Sequence, residues 1–263
     1  MPHEPGKVML VGAGPGAADL LTLRAARAIE GAQALLYDAL VGEEIIALAP
    51  PRCLRIQVGK RAGRASMRQE TINRLMLRLA ERGLRVVRLK GGDPSIFGRS
   101  GEEAEFLERH GVEVEVVPGV TAASAAAAQF GFPLTHRGEA RRLVLATVRT
   151  GDGEVTGGGW AALADPEATV ALYMGRDSAG EAAARLIAEG RAPSTPAIAV
   201  ENAGRPEARL IHARLDGLGE AVAAAGVTGP VLLVIGEVAA RAGAPLWDID
   251  MAEPEARQAA RRR

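Results

Sequence analysis

The run Val86-Val87-Arg88-Leu89-Lys90-Gly91-Gly92-Asp93-Pro94-Ser95-Ile96-Phe97-Gly98-Arg99-Ser100-Gly101-Glu102-Glu103 constrains the fold more than any other part of this chain. It reads as a strand, a glycine turn and a helix. Val86 to Leu89 is apolar and β-branched enough to form a buried strand. Gly91-Gly92 lacks β-carbons, so another molecule can approach the backbone closely. Asp93 sets a carboxylate beside exposed backbone N–H groups, which suits a ligand carrying hydroxyls or an ammonium. Pro94 blocks a simple continuation of the strand. Ser100 with Glu103 is a capping-box pattern, which predicts a helix start. An open α/β sheet binds ligands beyond the carboxyl ends of its strands, where this turn falls. The plain alternative is a tight turn with no ligand, and the length of the run argues against it.

A chain of 263 residues suits two domains better than one. Lys+Arg and Asp+Glu balance at 32 each, so no general affinity for nucleic acid is implied. Cys53 is the single cysteine, which rules out an internal disulfide and fits a reducing compartment. The 4 scattered histidines and that cysteine make no metal site. The start, Met1-Pro2-His3-Glu4-Pro5, lacks the plan of a signal peptide. No apolar run approaches the ~20 residues needed to cross a bilayer. The expectation is a cytoplasmic protein with no membrane association.

Val8 to Val11 is a first strand, followed by Gly12-Ala13-Gly14-Pro15-Gly16-Ala17. This fits the dinucleotide pattern G-x-G-x-x-[GA], and Asp38 lies about 20 residues on. A nucleotide-dependent oxidoreductase is therefore a rival reading. Against it, Pro15 removes a backbone N–H from the loop that would cradle a pyrophosphate. The next helix also starts late, with Thr22 as N-cap of 23–30, so its positive end is away from the glycines. Ala34 to Asp38 is a second strand ending on a carboxylate, either a turn cap or a cleft acid or base. Val58-Gly59-Lys60-Arg61-Ala62-Gly63 is a basic loop, either solvated or facing an acidic ligand. Helical spacing covers 69–82 and 102–110, and 112–117 alternates as a strand. Pro118-Gly119 is read as the domain junction, with an alanine-rich helix after it up to Gln129. Past it, 143–147, 169–173, 197–200 and 231–235 read as strands, and 160–163, 181–189 and 218–224 as helices. The expected division is 1–118, 119–243 and a flexible tail at 244–263. His136 alone is more often structural than catalytic, and Met174 alone is more often core than ligand-binding. Arg137 is the better functional candidate there, because its fork matches carboxylates.

The residues Leu89-Lys90-Gly91-Gly92-Asp93-Pro94, Phe97-Gly98-Arg99 and Gly101-Glu102-Glu103 resemble the signature of the uroporphyrinogen-III C-methyltransferases, in the tetrapyrrole methylase superfamily. The resemblance extends to Gly12-Ala13-Gly14-Pro15-Gly16, Leu20-Leu21-Thr22-Leu23, Tyr37-Asp38-Ala39-Leu40-Val41, Gly59-Lys60-Arg61, Gln69 to Asn73 and Pro133-Leu134-Thr135-His136-Arg137. It thins out after Arg137 and covers about 7–240. It implies a tetrapyrrole methylase fold: two α/β domains with a cleft between them, paired as a homodimer. It implies S-adenosyl-L-methionine as methyl donor, with S-adenosyl-L-homocysteine as product. The substrate would be uroporphyrinogen III, methylated at C2 and C7 through precorrin-1 to precorrin-2. That product feeds sirohaem, cobalamin or haem d1.

By the same resemblance, Pro15, Gly91, Gly92, Asp93, Ile96, Thr121, Ala122, Met174 and Ala203 line the cofactor site. Arg99, Glu102 and Arg137 face the tetrapyrrole, and Asp38 and Lys60 handle protons. This chemistry needs no metal and no strong nucleophile, since the sulfonium methyl is already activated and a pyrrole carbon is electron-rich. It needs alignment, and then loss of a proton from the methylated carbon or its neighbour. The sequence departs from the family at Ala203, where glycine is commoner, at Ser95, and at Ala146-Thr147-Val148-Arg149, where a Thr-Gly-His type loop is usual. Three function classes stand side by side: a methyltransferase, carried by several ordered motifs; a dinucleotide oxidoreductase, carried by one; and a non-catalytic tetrapyrrole-binding module.

Overall fold

A computed structural model describes residues 6–59, 67–148 and 159–246. The chain forms two compact units, Met1–Ala125 and Ala126–Arg263. The expected junction, 118/119, falls in the turn ahead of helix α5 (Ala122–Gln129), and the division between the units falls inside that helix.

The first unit is built on five strands, β1 (Val8–Gly12), β2 (Ala34–Tyr37), β3 (Leu54–Gln57), β4 (Val86–Lys90) and β5 (Val114–Val117). They form one parallel sheet in the order β3-β2-β4-β1-β5. Helices α1 (Leu23–Glu30) and α2 (Glu43–Ala47) cover one face, over Val11, Leu35, Leu89 and Val117. Helices α3 (Gln69–Glu81) and α4 (Ser100–Arg109) cover the other, over Leu10, Leu36 and Val86. Successive side chains point to opposite faces, so each strand feeds both layers. Leu10, Leu35, Leu36 and Leu89 are wholly buried, and each such burial contributes roughly 2 kcal/mol. The chain leaves β1 toward β2 and leaves β4 toward β5 on the opposite side, so the topological switch lies between β1 and β4. The alternation is broken at Arg88 and Lys90, each only 3% exposed, on the face covered by α3 and α4.

The second unit holds β6 (Arg142–Thr147), β7 (Ala168–Tyr173), β8 (Pro196–Glu201), β9 (Arg209–Arg214) and β10 (Val231–Ile235), in the order β6-β7-β10-β8-β9. Only β6 and β7 pair in parallel; β7–β10, β10–β8 and β8–β9 are antiparallel. Helices α6 (Trp160–Leu163), α7 (Ala179–Ala188) and α8 (Leu218–Ala224) pack on Val170, Leu172, Leu233 and Ile235.

Three elements escape the sequence reading. β3 and β9 are edge strands whose half-exposed, charged positions weaken the alternation, and α2 is too short to show a period. The capping box at Ser100 is a correction. Arg99, not Ser100, is the N-cap, and it makes no side-chain capping bond. Glu103 turns inward instead and is fully buried. Among the described residues, no helix is long and apolar enough to cross a membrane.

Candidate active site

The carboxyl ends of the three adjacent strands β4, β1 and β5 carry loops that lock together through glycine backbone. Gly92 N–H donates to Gly14 O at 2.7 Å, Gly14 N–H to Gly92 O at 3.2 Å, and Ala13 N–H to Lys90 O at 2.8 Å. A β-carbon on Gly119 would sit 2.3 Å from Gly92 O, and one on Gly12 would sit 2.7 Å from Gly119 Cα. Backbone thus fills the places where side chains would stand. Asp93 braces the same junction. Its Oδ2 accepts from Gly119 N–H at 3.0 Å, and its Oδ1 accepts from Ser95 N–H at 2.8 Å and from the Ser95 hydroxyl. Partial burial works against the charge, but the Ser95 hydroxyl and the Gly119 and Ser95 N–H groups outweigh it and hold the carboxyl below its ordinary value.

This alters two expectations. The Gly92 N–H is taken by Gly14, so it is not a free donor beside Asp93. Gly12 is glycine because Gly119 and Gly92 press against it, not because a pyrophosphate approaches. Helix α1 begins at Leu23 with the Thr22 hydroxyl accepting from Ala25 N–H, one 3-10 turn beyond the glycines. The dinucleotide reading therefore loses its helix dipole. Gly92 is the open position: its φ is +69° and nothing lies within 4 Å of where a β-carbon would be. A flat or extended ligand can reach the backbone there. Pro15 and Thr121 stand in the neighbouring loops of β1 and β5, and Ala122 opens helix α5.

Beyond the glycines, the turn tightens. Phe97 and Arg99 adopt left-handed φ of 54° and 57°. A β-carbon on Gly98 would meet Pro94 O at 2.4 Å, so the turn folds directly over the Lys90 stem. Arg99 forks onto Glu102, Nε to Oε1 at 2.9 Å and Nη2 to Oε2 at 2.6 Å. Glu102 hydrogen bonding raises the Arg99 guanidinium above its ordinary value, against a small cost of burial.

A cavity of about 330 Å³ lies under this turn, lined by Asp38, Leu40, Gln69, Arg88, Lys90, Gly91, Ile96 and Arg99 among others. Arg88 Nη2 donates to Asp38 Oδ1 at 2.6 Å and Arg88 Nε to Glu103 Oε1 at 3.2 Å. Lys90 Nζ donates to Glu103 Oε2 at 2.9 Å, and Gln69 Nε2 to Glu103 Oε1 at 3.0 Å. Burial pushes the Lys90 ammonium below its ordinary value and Arg88 adds to this, while Glu103 acts against both. The sequence reading gave Arg88 and Lys90 no role in the site and took Glu103 for a helix cap. The signal was two cations at alternate positions of a strand otherwise apolar enough to be core.

In the second unit, Met174 and Asn202 are the other non-glycine residues with left-handed φ among the described residues, at 57° and 55°. They sit directly past the carboxyl ends of strands β7 and β8. Such strain costs of order 1–3 kcal/mol each and gathers at functional sites. Met174 is 58% exposed, so it is not core. Ala203 is buried beside Gly204, whose N–H donates to the buried Gln129 Oε1 at 2.8 Å. Glu201 accepts from Thr228 and Gly229 N–H, each at 2.7 Å, and pairs with Arg209 at 2.6 Å. Gly229 is glycine because Asn202 Oδ1 would lie 2.2 Å from its β-carbon. Arg137 is exposed and forms no ion pair among the described residues, in a loop closed by the His136–Ala140 bridge. Pro15, Gly91, Gly92, Asp93, Ile96, Thr121, Ala122, Asp38, Arg99 and Glu102 thus belong to the first unit, and Arg137, Met174 and Ala203 to the second. Lys60 lies outside the described residues.

Residues 7–219 match the family model of the Tetrapyrrole (Corrin/Porphyrin) Methylases. The chain is 45% identical, over 92% of its length, to the chloroplastic S-adenosyl-L-methionine-dependent uroporphyrinogen III methyltransferase of Arabidopsis thaliana, of which it covers 66%. It is 45% identical, over 90% of its length, to the uroporphyrinogen-III C-methyltransferase of Paracoccus denitrificans, of which it covers 83%. It spans about half the length of the siroheme synthases it also matches. The crystal structure of the uroporphyrin-III C-methyl transferase from Thermus thermophilus complexed with S-adenyl homocysteine superposes with a TM-score of 0.76 at 44% identity, covering 89% of this chain and 98% of that one.

Proposed function

This chain belongs to the tetrapyrrole methylases, and from that membership we propose that it is an S-adenosyl-L-methionine-dependent methyltransferase of uroporphyrinogen III. It acts at C2 and C7 and yields precorrin-2 by way of precorrin-1. The observation that carries the reading is the cavity in which Arg88, Lys90 and Arg99 stand beside the Gly91 turn. It joins Arg99, whose exposed guanidinium suits an acidic macrocycle, to a stretch of backbone that a second ligand can approach, over a floor in which Arg88 and Lys90 are paired with Asp38 and Glu103.

S-adenosyl-L-methionine supplies an electrophilic sulfonium methyl when bound and leaves as S-adenosyl-L-homocysteine. The residues present fit it. Gly92 leaves an open place on the backbone, and Met174 exposes an apolar side chain suited to an adenine face. In this reading Pro15, Gly91, Gly92, Asp93, Ile96, Thr121 and Ala122 of the first unit, and Met174 and Ala203 of the second, are assigned to the donor, with Asp93 ordering its turn. Arg99 and Arg137 receive substrate carboxylates, and Glu102 orients the Arg99 fork. The methylated ring carbon ends with four carbon neighbours, so the proton leaves from an adjacent position. Asp38 accepts it, with Lys60 assigned to the same proton handling.

The reading also takes in a homodimer, as the resemblance implies, and a cytoplasmic location, which the single free Cys53 supports. The match to siroheme synthases supports sirohaem as one destination of the product. The test is a single-turnover incubation with S-adenosyl-L-methionine and uroporphyrinogen III, followed by absorbance and mass. Two methyl groups gained per macrocycle are expected. Binding of uroporphyrinogen III without any methyl transfer would leave only a tetrapyrrole-binding module.

A further inference from the structure

We propose that Glu103 is a positioning residue for methyl transfer, gripping Arg88 from beneath so that Arg88 presents the Asp38 carboxylate at the mouth of the cavity. The inference rests on the function proposed above. One guanidinium spans two carboxylates: Arg88 meets Asp38 at 2.6 Å through Nη2 and Glu103 at 3.2 Å through Nε. Glu103 and Arg88 are 0% and 3% exposed in their side chains, whereas Asp38 is 30% exposed. The chain of charges therefore has a closed end in the core and an open end in the cavity.

Glu103 is itself fixed from two further directions. Lys90 Nζ holds Oε2 at 2.9 Å, and Gln69 Nε2 holds Oε1 at 3.0 Å while also reaching Asn73 Oδ1 at 2.9 Å. Stability does not account for this arrangement. Buried ion pairs are commonly no more stabilising than apolar residues of the same volume. The sheet positions at issue face α3 and α4, where Leu10, Leu36 and Val86 are plain core. What the network provides is a carboxylate aimed by a rigid fork.

In the reaction, a π pair of the pyrrole carbon forms the bond to the methyl carbon, and the C–S pair passes to sulfur. The resulting ring cation is discharged when a neighbouring carbon gives its proton to Asp38, which becomes a neutral acid and later returns the proton to water. An Asp38 released from Arg88 can rotate away from that path.

The experiment is a double-mutant cycle of Glu103→Gln and Asp38→Asn, read as single-turnover methyl transfer with saturating ligands. S-adenosyl-L-homocysteine affinity is measured alongside by calorimetry. Glu103→Gln alone should slow transfer on the order of 10- to 100-fold, the scale of a misplaced reacting group. Cofactor affinity should stay within about two-fold, and in the Asp38→Asn background the further loss should be below about three-fold. Equal losses in both backgrounds, no loss at all, or full activity of Asp38→Asn overturn the inference. Should Glu103→Gln fail to fold, Lys90→Met with Glu103→Gln removes one buried cation with one buried anion, and the same cycle is run on that pair. A wild type that transfers no methyl group overturns the proposed function and this inference together. An active wild type with an additive cycle overturns this inference alone.

Discussion

Gly92 and Gly14 exchange both of their backbone hydrogen bonds, at 2.7 and 3.2 Å, although they lie in loops far apart in the chain. The exchange is an isolated antiparallel bridge just past the parallel β1–β4 pairing, and it welds two glycine turns into one surface. Gly119 closes against the same two loops, with no room for a β-carbon on it. Three backbone segments at a topological switch are thus held in place without a side chain intervening.

The open side of Gly92 gives a controlled test. Gly92 and Gly111 both have positive φ, 69° and 74°, and both have nothing within 4 Å of an added β-carbon. Gly111 lies beyond α4, away from the proposed donor site. Alanine at either position should cost about 1 kcal/mol in chemical denaturation, from left-handed strain alone. Only Gly92→Ala should also weaken S-adenosyl-L-homocysteine binding, by at least about ten-fold, or ~1.4 kcal/mol. Equal affinities for the two variants would place the ligand elsewhere.

Asp93 should contribute a pH-dependent stability. Its carboxyl lies below its ordinary value in the folded chain, burial being outweighed by the Ser95 and Gly119 donors. A depressed carboxyl stabilises the fold when it is ionised in both states. The contribution is therefore complete above about pH 5 and is lost as pH falls through the folded value. The stability difference between wild type and Asp93→Asn, from urea melts, should be about 1 kcal/mol at neutral pH and should shrink on acidification. A difference that grows toward acid would mean that the carboxyl is held protonated instead.

The signature from Val86 to Glu103 was legible because its order is local: a β-branched strand, two glycines and a helix are set by neighbours in sequence. The glycine at 119 was legible only as a turn. Its reason is the Gly92 carbonyl that presses on it, a contact no local pattern encodes. Glu103 was misread for the same reason. A Ser-x-x-Glu spacing fits a capping box, but the buried Arg88 and Lys90 draw the carboxylate inward, and a charge-assisted bond in the core outweighs a cap in water. The second sheet reads as repeated α/β because helices alternate with its strands everywhere except between β8 and β9. Two of its three antiparallel pairings depend on where β10 inserts, between β7 and β8, which spacing along the chain does not reveal.

Glu201 should matter to the second unit as a structural clasp. It is 2% exposed, and its carboxylate takes the Thr228 and Gly229 N–H groups and the Arg209 fork. Glu201→Ala strands two donors and should cost about 2 kcal/mol. Glu201→Gln keeps one acceptor and should cost less. Chemical denaturation checks both, and an unchanged midpoint for Glu201→Ala would show that water replaces the clasp.

Arg99 offers the sharpest division between positioning and proton transfer. Its side chain is 55% exposed and that of Glu102 is 56% exposed, so their ion pair is screened and adds little to folding. Yet the pair fixes the fork in a plane, with contacts at 2.9 and 2.6 Å, and Glu102 raises the guanidinium value further from neutrality. A group charged at every working pH cannot serve as the base; it can bind a carboxylate and steady developing charge. Its backbone, at φ 57°, is strained for any residue with a β-carbon. Arg99→Gly should therefore raise stability, by up to about 1 kcal/mol, while it slows transfer, the trade expected where function holds strain in place. Arg99→Lys should keep the strain and the charge but lose the fork, lowering the rate with the wild-type pH profile intact. The measurements are urea midpoints for all three proteins and single-turnover rates against pH. A new rising limb at alkaline pH in Arg99→Lys, with rescue of Arg99→Ala by small exogenous bases, would show that Arg99 takes the proton itself and that Asp38 does not.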